Sequence, residues 1–179
     1  LLYESALRRE STRPMEQEIK KDDSLEELVN KVTYKNIVSL DNTRKLVDLD
    51  ILNQCVELLD RCQTVYLFGI GSSLLVARDM YLKLLRVNKA CVICDDWHAQ
   101  LLQARNIRSC ALALIVSYSG LTEEMITCAR EARLREAPVI TISRFEQSPL
   151  VRLADYNLAV AATELIFRSG AMSSRISQL

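Results

Sequence analysis

Val65-Tyr-Leu-Phe-Gly-Ile-Gly-Ser-Ser-Leu-Leu-Val-Ala77 decides the fold. The opening run, 65–68, is apolar and too short for a helix, so it reads as a strand buried on both faces. Two glycines and two serines break it. Beyond them Ala77, Met80, Tyr81, Leu84 and Leu85 recur at three and four, the period of a helix with one apolar face. A buried strand, a glycine turn and a covering helix make half of a βαβ unit.

The same unit returns along the chain. Short apolar runs at 90–94, 111–116, 139–142 and 158–161 alternate with helical segments, one of which sets Leu121, Met125, Ala129 and Ala132 on a common stripe. Five buried parallel strands are implied, in an α/β, flavodoxin-like doubly wound sheet within a three-layer αβα sandwich. Helices precede the sheet. Ser24-Leu-Glu-Glu27 is a capping box ahead of Leu25, Leu28, Val32, Ile37 and Val38. From about Asp50 a second stripe runs through Ile51, Leu52, Cys55, Val56, Leu59 and Cys62. Residues 1–23, with Pro14 and mixed charges, read as a linker, which leaves 24–179 as one domain.

Composition narrows the classes of function. Lysine plus arginine equals aspartate plus glutamate at 23 each, so no net field draws this segment to nucleic acid or to an anionic membrane. No apolar run approaches the roughly 20 residues of a membrane-spanning helix, and the first residues are charged, unlike a signal peptide. A cytoplasmic location is expected. Of the six cysteines, Cys91 and Cys94 are close in sequence, but on a strand they point to opposite faces and make a poor chelate. All six read as packing residues in a reducing compartment, with no metal and no cofactor. The chain starts at Leu1 and ends at Leu179 within an apparently helical stretch, so a neighbouring module and a truncated last helix are expected.

Glycine is scarce: Gly69, Gly71, Gly120 and Gly170 are the whole complement, and the first three stand directly after strands. That is where ligands bind in an open α/β sheet. In 69–73 the glycines turn the chain sharply into a helix, exposing amides beside Ser72 and Ser73 at the positive helix end. A dinucleotide fingerprint would need a third glycine where Leu74 stands. In Ser117-Tyr-Ser-Gly-Leu-Thr122, Ser117 and Ser119 fall on one face of an extended segment, and Thr122 joins them at the helix start. Three hydroxyls around Gly120 make a phosphate cradle, whereas plain capping needs one. Glu123 and Glu124 would have to face away from it. Asp96, Trp97 and His98 follow the second strand on the same rim: Asp96 as a helix cap, Trp97 as packing or interface, and His98 as ligand contact or structural histidine.

Gly69-Ile-Gly-Ser-Ser73, Asp96-Trp-His98, Ser117-Tyr-Ser-Gly-Leu-Thr-Glu123, Ser148-Pro-Leu-Val-Arg-Leu-Ala-Asp155 and Arg168-Ser-Gly-Ala-Met-Ser-Ser-Arg175, in that order, resemble the sugar isomerase (SIS) domain of RpiR-type transcription regulators over residues 45–179. The resemblance implies a dimer that binds a phosphorylated sugar. It also implies an amino-terminal helix-turn-helix domain, absent here, as the sole contact with DNA, with 1–23 as the connection from it. By resemblance the phosphate loop falls on Ser117, Ser119, Gly120 and Thr122. Gly71, Ser72 and Ser73 contact the sugar or its phosphate, and His98, Glu164 and Arg168 complete the pocket, the last two near the dimer interface. Arabinose-phosphate isomerases of the superfamily instead resemble Gly-x-Gly-Lys-Ser in the first loop and carry a longer His- and Glu-containing segment after strand two. With Ser72 and a short Asp96-Trp-His98, the chain reads as a non-catalytic sensor; the alternative is an aldose-ketose isomerase using Glu164 and His98.

Overall fold

The computed structural model describes residues 19–161 and 172–179. The chain divides into two compact units, Leu1–Val38 and Ser39–Leu179. Helix α1 (Leu25–Leu46) begins in the first. Its start is the expected capping box: Glu27 Oε2 accepts from the Ser24 amide at 2.8 Å while Ser24 Oγ accepts from the Glu27 amide at 3.2 Å. Asp23 pairs with Lys31 at 2.6 Å within the same unit.

In the second unit α2 (Leu49–Arg61) leads to β1 (Val65–Phe68), α3 (Ser72–Arg86), β2 (Cys91–Ile93), α4 (Trp97–Asn106), β3 (Leu112–Val116), α5 (Glu123–Leu134), β4 (Val139–Arg144), β5 (Tyr156–Val160) and α6 (Met172–Gln178). A single 3-10 turn, Val151–Leu153, precedes β5. The five strands pair in the order β2-β1-β3-β4-β5, all parallel.

Alternation along the strands builds a core on each side. Phe68, Ala113, Ile115 and Val139 pack on Ala104, Ile107, Met125 and Ala129 of the α4–α5 layer. Val65, Leu67, Leu112, Leu114 and Ile142 pack on Cys55, Val76, Ala77 and Leu84 of the α2–α3 layer. This is the expected three-layer arrangement, with helices covering both faces.

Several expectations shift. The fifth strand is Tyr156–Val160, two residues earlier than its apolar run suggests, and β4 continues to Arg144. Asn157 hides the strand in the sequence but is held in place by its neighbours, since Oδ1 accepts from both Thr141 Oγ1 and Ser143 Oγ at 2.8 Å. Leu85, Leu121, Leu52 and Val56, assigned to buried stripes, are exposed. Cysteine packing holds for Cys55 and Cys128, whose burial pushes the thiols up to about 11 and about 12. It fails for Cys110, which is exposed with Sγ 3.2 Å from Gln63 Oε1. Cys91 and Cys94 do point apart: Cys91 packs in the α2–α3 core, while Cys94 Sγ meets Gln103 of α4.

Candidate functional site

Strand order locates the site. From β1 the chain crosses to β2 on one side, and β3 lies on the other, so the order reverses between β1 and β3. Their carboxyl ends lie side by side, Phe68 in register with Ile115. Loops 69–73 and 117–122 therefore border the same crevice, where such sheets hold ligands.

Loop 69–73 depends on its glycines for two different reasons. A Cβ on Gly69 would stand 2.9 Å from the Ser73 carbonyl oxygen, so the chain doubles back on itself in contact there. Gly71 has open space around it but sits at φ +60°, where side chains are rarely tolerated. Gly71 is the N-cap of α3 and gives that helix no side-chain cap. Ser72 is exposed, and Ser73 is buried.

Loop 117–122 is a turn rather than the extended segment expected. The Gly120 amide donates to the Ser117 carbonyl at 3.2 Å, and Gly120 adopts φ +64°. The turn brings the hydroxyls together by folding, not by strand alternation. Ser117, buried, donates from Oγ to Thr122 Oγ1 at 3.3 Å, and Ser119 Oγ accepts from the Leu121 amide at 3.2 Å. Thr122 occupies the N-cap of α5, yet its hydroxyl makes no cap hydrogen bond. The first amides of α5 thus lack a side-chain acceptor, as do those of α3. Glu123 is exposed and Glu124 half-buried.

Helices α2 and α4 contrast with these. Asp48 caps the amides of Asp50 and Ile51, and Asp96 caps that of Ala99 at 2.9 Å. Asp96 is therefore the helix cap expected of it. Trp97 packs on the α4–α5 core, His98 is exposed at the start of α4, and Asp95 pairs with Arg78 of α3. Glu164 and Arg168 lie outside the described residues. Among those described, no group of three His, Cys, Asp or Glu side chains is placed to hold a metal ion.

Two residues at the site were not singled out from sequence. Gln100 is fully buried and grips Gly69, accepting from its amide at 3.2 Å and donating to its carbonyl at 3.0 Å. Its signal was a polar residue on the apolar stripe of Trp97, Ala104 and Ile107. Ser148, quoted above only within a longer motif, is buried against Gly120, and its Oγ accepts from the Val151 amide at 3.2 Å where the 3-10 turn begins.

A groove of about 770 Å³ runs along β5, lined by Leu46, Ile51, Leu52, Phe145 and Leu158 among others. Its lining is mainly apolar, with the carboxylates of Asp48, Glu146 and Asp155 among it, and neither kind of group suits a dianion.

Fold and site together define a doubly wound α/β domain with two glycine-turned, hydroxyl-bearing loops at its switch point. The SIS domain model matches residues 58–179, and the chain belongs to the SIS domain family. It is 34% identical over 168 residues to an uncharacterized HTH-type transcriptional regulator of Caldanaerobacter subterraneus, covering 94% of this chain and 60% of that protein. The Vibrio vulnificus NanR protein complexed with ManNAc-6P superposes with a TM-score of 0.81 at 28% identity, over 89% of this chain and 59% of that one. The sugar isomerase domain of an RpiR transcription factor from Sphaerobacter thermophilus shares the fold, with a TM-score of 0.77 at 21% identity over 84% of each chain. The chain thus spans about 60% of the length of the regulator it matches.

Proposed function

We propose that this domain binds a phosphorylated sugar and acts as the effector-sensing part of an RpiR-type transcription regulator, in the cytoplasm and as a homodimer or higher oligomer. DNA is contacted only by a separate helix-turn-helix domain. The observation that carries the reading is the convergence, at one switch point, of two helix starts without side-chain caps and the hydroxyls of Ser72, Ser117, Ser119 and Thr122. Amides at a helix N-terminus favour a phosphate dianion, and hydroxyls complete its hydrogen bonds. Similarity to regulators, and to a NanR protein solved with a hexosamine phosphate, supports a sensor over an enzyme.

Sensing requires that the ester prefer one arrangement of subunits over another. By the family resemblance we assign Glu164 and Arg168 to that coupling.

Calorimetry with hexose, amino-sugar and pentose phosphates tests the pocket. Ser119→Ala should weaken the best ligand by about ten- to a hundredfold, the scale of one hydrogen bond to a charged group. Unchanged affinity would count against the phosphate loop. Conversion of a bound ester between aldose and ketose would replace the sensor by an isomerase.

A further inference from the structure

We propose that Gln100 is a positioning residue for the ligand: its side chain sets the loop after β1 and fixes the spacing between the two anion-binding loops. The inference rests on the sugar-phosphate reading of the site.

β1 loses its ladder just where the loop begins. Its pairing with β2 ends at Leu67↔Ile93 and with β3 at Phe68↔Ile115, so the Gly69 peptide lies beyond both. Gln100 supplies the missing rung. A carboxamide presents one acceptor and one donor as a peptide does, and here both meet one residue, the Gly69 amide at 3.2 Å and carbonyl at 3.0 Å. The side chain has no exposure. A buried amide is retained only where its partners are satisfied, so this contact defines one geometry rather than a range.

Displacement at Gly69 propagates to the ligand contacts. The space where its Cβ would stand is bounded by the Ser73 carbonyl at 2.9 Å and the Leu74 nitrogen at 3.1 Å. Tilting the Gly69 peptide therefore moves the first turn of α3, which carries Ser72 and Ser73. The anchor on the other side is firm. Asp96 caps α4, Ala104 and Ile107 share a core with Met125 and Ala129 of α5, and Arg105 pairs with Glu131 at 3.2 Å. Loop 69–73 leads into α3 on one face of the sheet, and loop 117–122 into α5 on the other. Gln100 is the hydrogen-bonded link from the α4–α5 layer to the first loop, so it sets how far apart the loops stand and which ester bridges them.

The test uses the whole chain with Gln100→Met, which keeps the length and removes both hydrogen bonds. Gln100→Glu, which keeps the shape but sets an anionic oxygen against the Gly69 carbonyl, serves if Gln100→Met does not fold. Amide exchange by NMR without ligand should accelerate about tenfold or more at 69–73 and stay unchanged at 117–122 and in β3, the scale expected for one or two lost hydrogen bonds. Calorimetry with N-acetylmannosamine 6-phosphate, glucose 6-phosphate and ribose 5-phosphate should show affinity reduced about tenfold or more, with the preference among the esters altered. Unchanged exchange at 69–73, or unchanged affinity and preference, overturns the proposal. Uniform acceleration across the domain also overturns it, because Gln100 would then be only a core filler. Wild-type protein that binds none of the esters, combined with local acceleration at 69–73, would leave the loop-holding role standing and remove the sugar-phosphate reading.

Discussion

At the scale of the residue, the three glycines on the rim differ in what an added methyl group would meet. Gly120 combines φ +64° with a Cβ position that overlaps the Ser148 hydroxyl and stands 2.8 Å from Ser148 Cβ. Gly120→Ala therefore carries the left-handed backbone cost of about 1–2 kcal/mol plus a steric term in a buried turn. Chemical denaturation should show a loss of roughly 2 kcal/mol or more, together with weakened ester binding. Gly71→Ala meets open space and should cost only the backbone term, about 1–3 kcal/mol. Thiol chemistry separates the cysteines in the same way. Burial holds the Cys55 and Cys128 thiols at about 11 and about 12, so they stay protonated at pH 8. Native protein titrated with a disulfide reagent should release its first equivalent from exposed Cys110 and withhold those two until unfolding.

At the scale of the element, helix starts show how local chemistry and function divide the same motif. Caps on α1, α2 and α4 are formed by Ser24 with Glu27, by Asp48 and by Asp96; the first and the last were read from sequence, whereas Asp48 was not singled out there. Thr122 is also a favoured cap type, and only the folded turn shows that its hydroxyl faces Ser117 Oγ instead. The α1 cap carries a pH dependence. Hydrogen bonds from the Ser24 amide, then from its hydroxyl, hold the Glu27 carboxyl below its ordinary 4.5. A depressed folded pKa stabilises above the unfolded value, and that contribution is lost as pH falls through the folded one. Amide exchange at 24–28 should therefore accelerate as pH drops from about 4.5 downward, once corrected for intrinsic rates, while β3 is unaffected over the first part of that range. Asn157 makes the complementary point about strands. A polar side chain within an apolar run argues against a strand, yet the Thr141 and Ser143 hydroxyls satisfy it across the β4–β5 pair and move the observed start of β5 to Tyr156.

At the scale of the molecule, equal numbers of acidic and basic residues leave no global attraction for an anion, so affinity has to come from local amides and hydroxyls. A ligand that binds only the folded state stabilises by about 2.7 kcal/mol at a hundred times its Kd. For a domain of this size that is a rise in Tm of roughly 5–10 °C. Thermal shifts with sugar phosphates should reach this range, and an equal shift with NAD alone would revive a dinucleotide site despite Leu74.

The alternation of apolar runs with helical stripes was enough to specify the class of sheet, because burial on both faces writes itself into every strand regardless of neighbours. The glycine loops were visible for a similar reason: a positive φ or a close approach restricts the residue type at a single position. Strand order, the meeting of loops 69–73 and 117–122, and the clasp of Gln100 on Gly69 were decided only in three dimensions. Each depends on residues far apart in the chain, as with Gly69 and Gln100, and a hydrogen bond between such residues leaves no period in the sequence to reveal it.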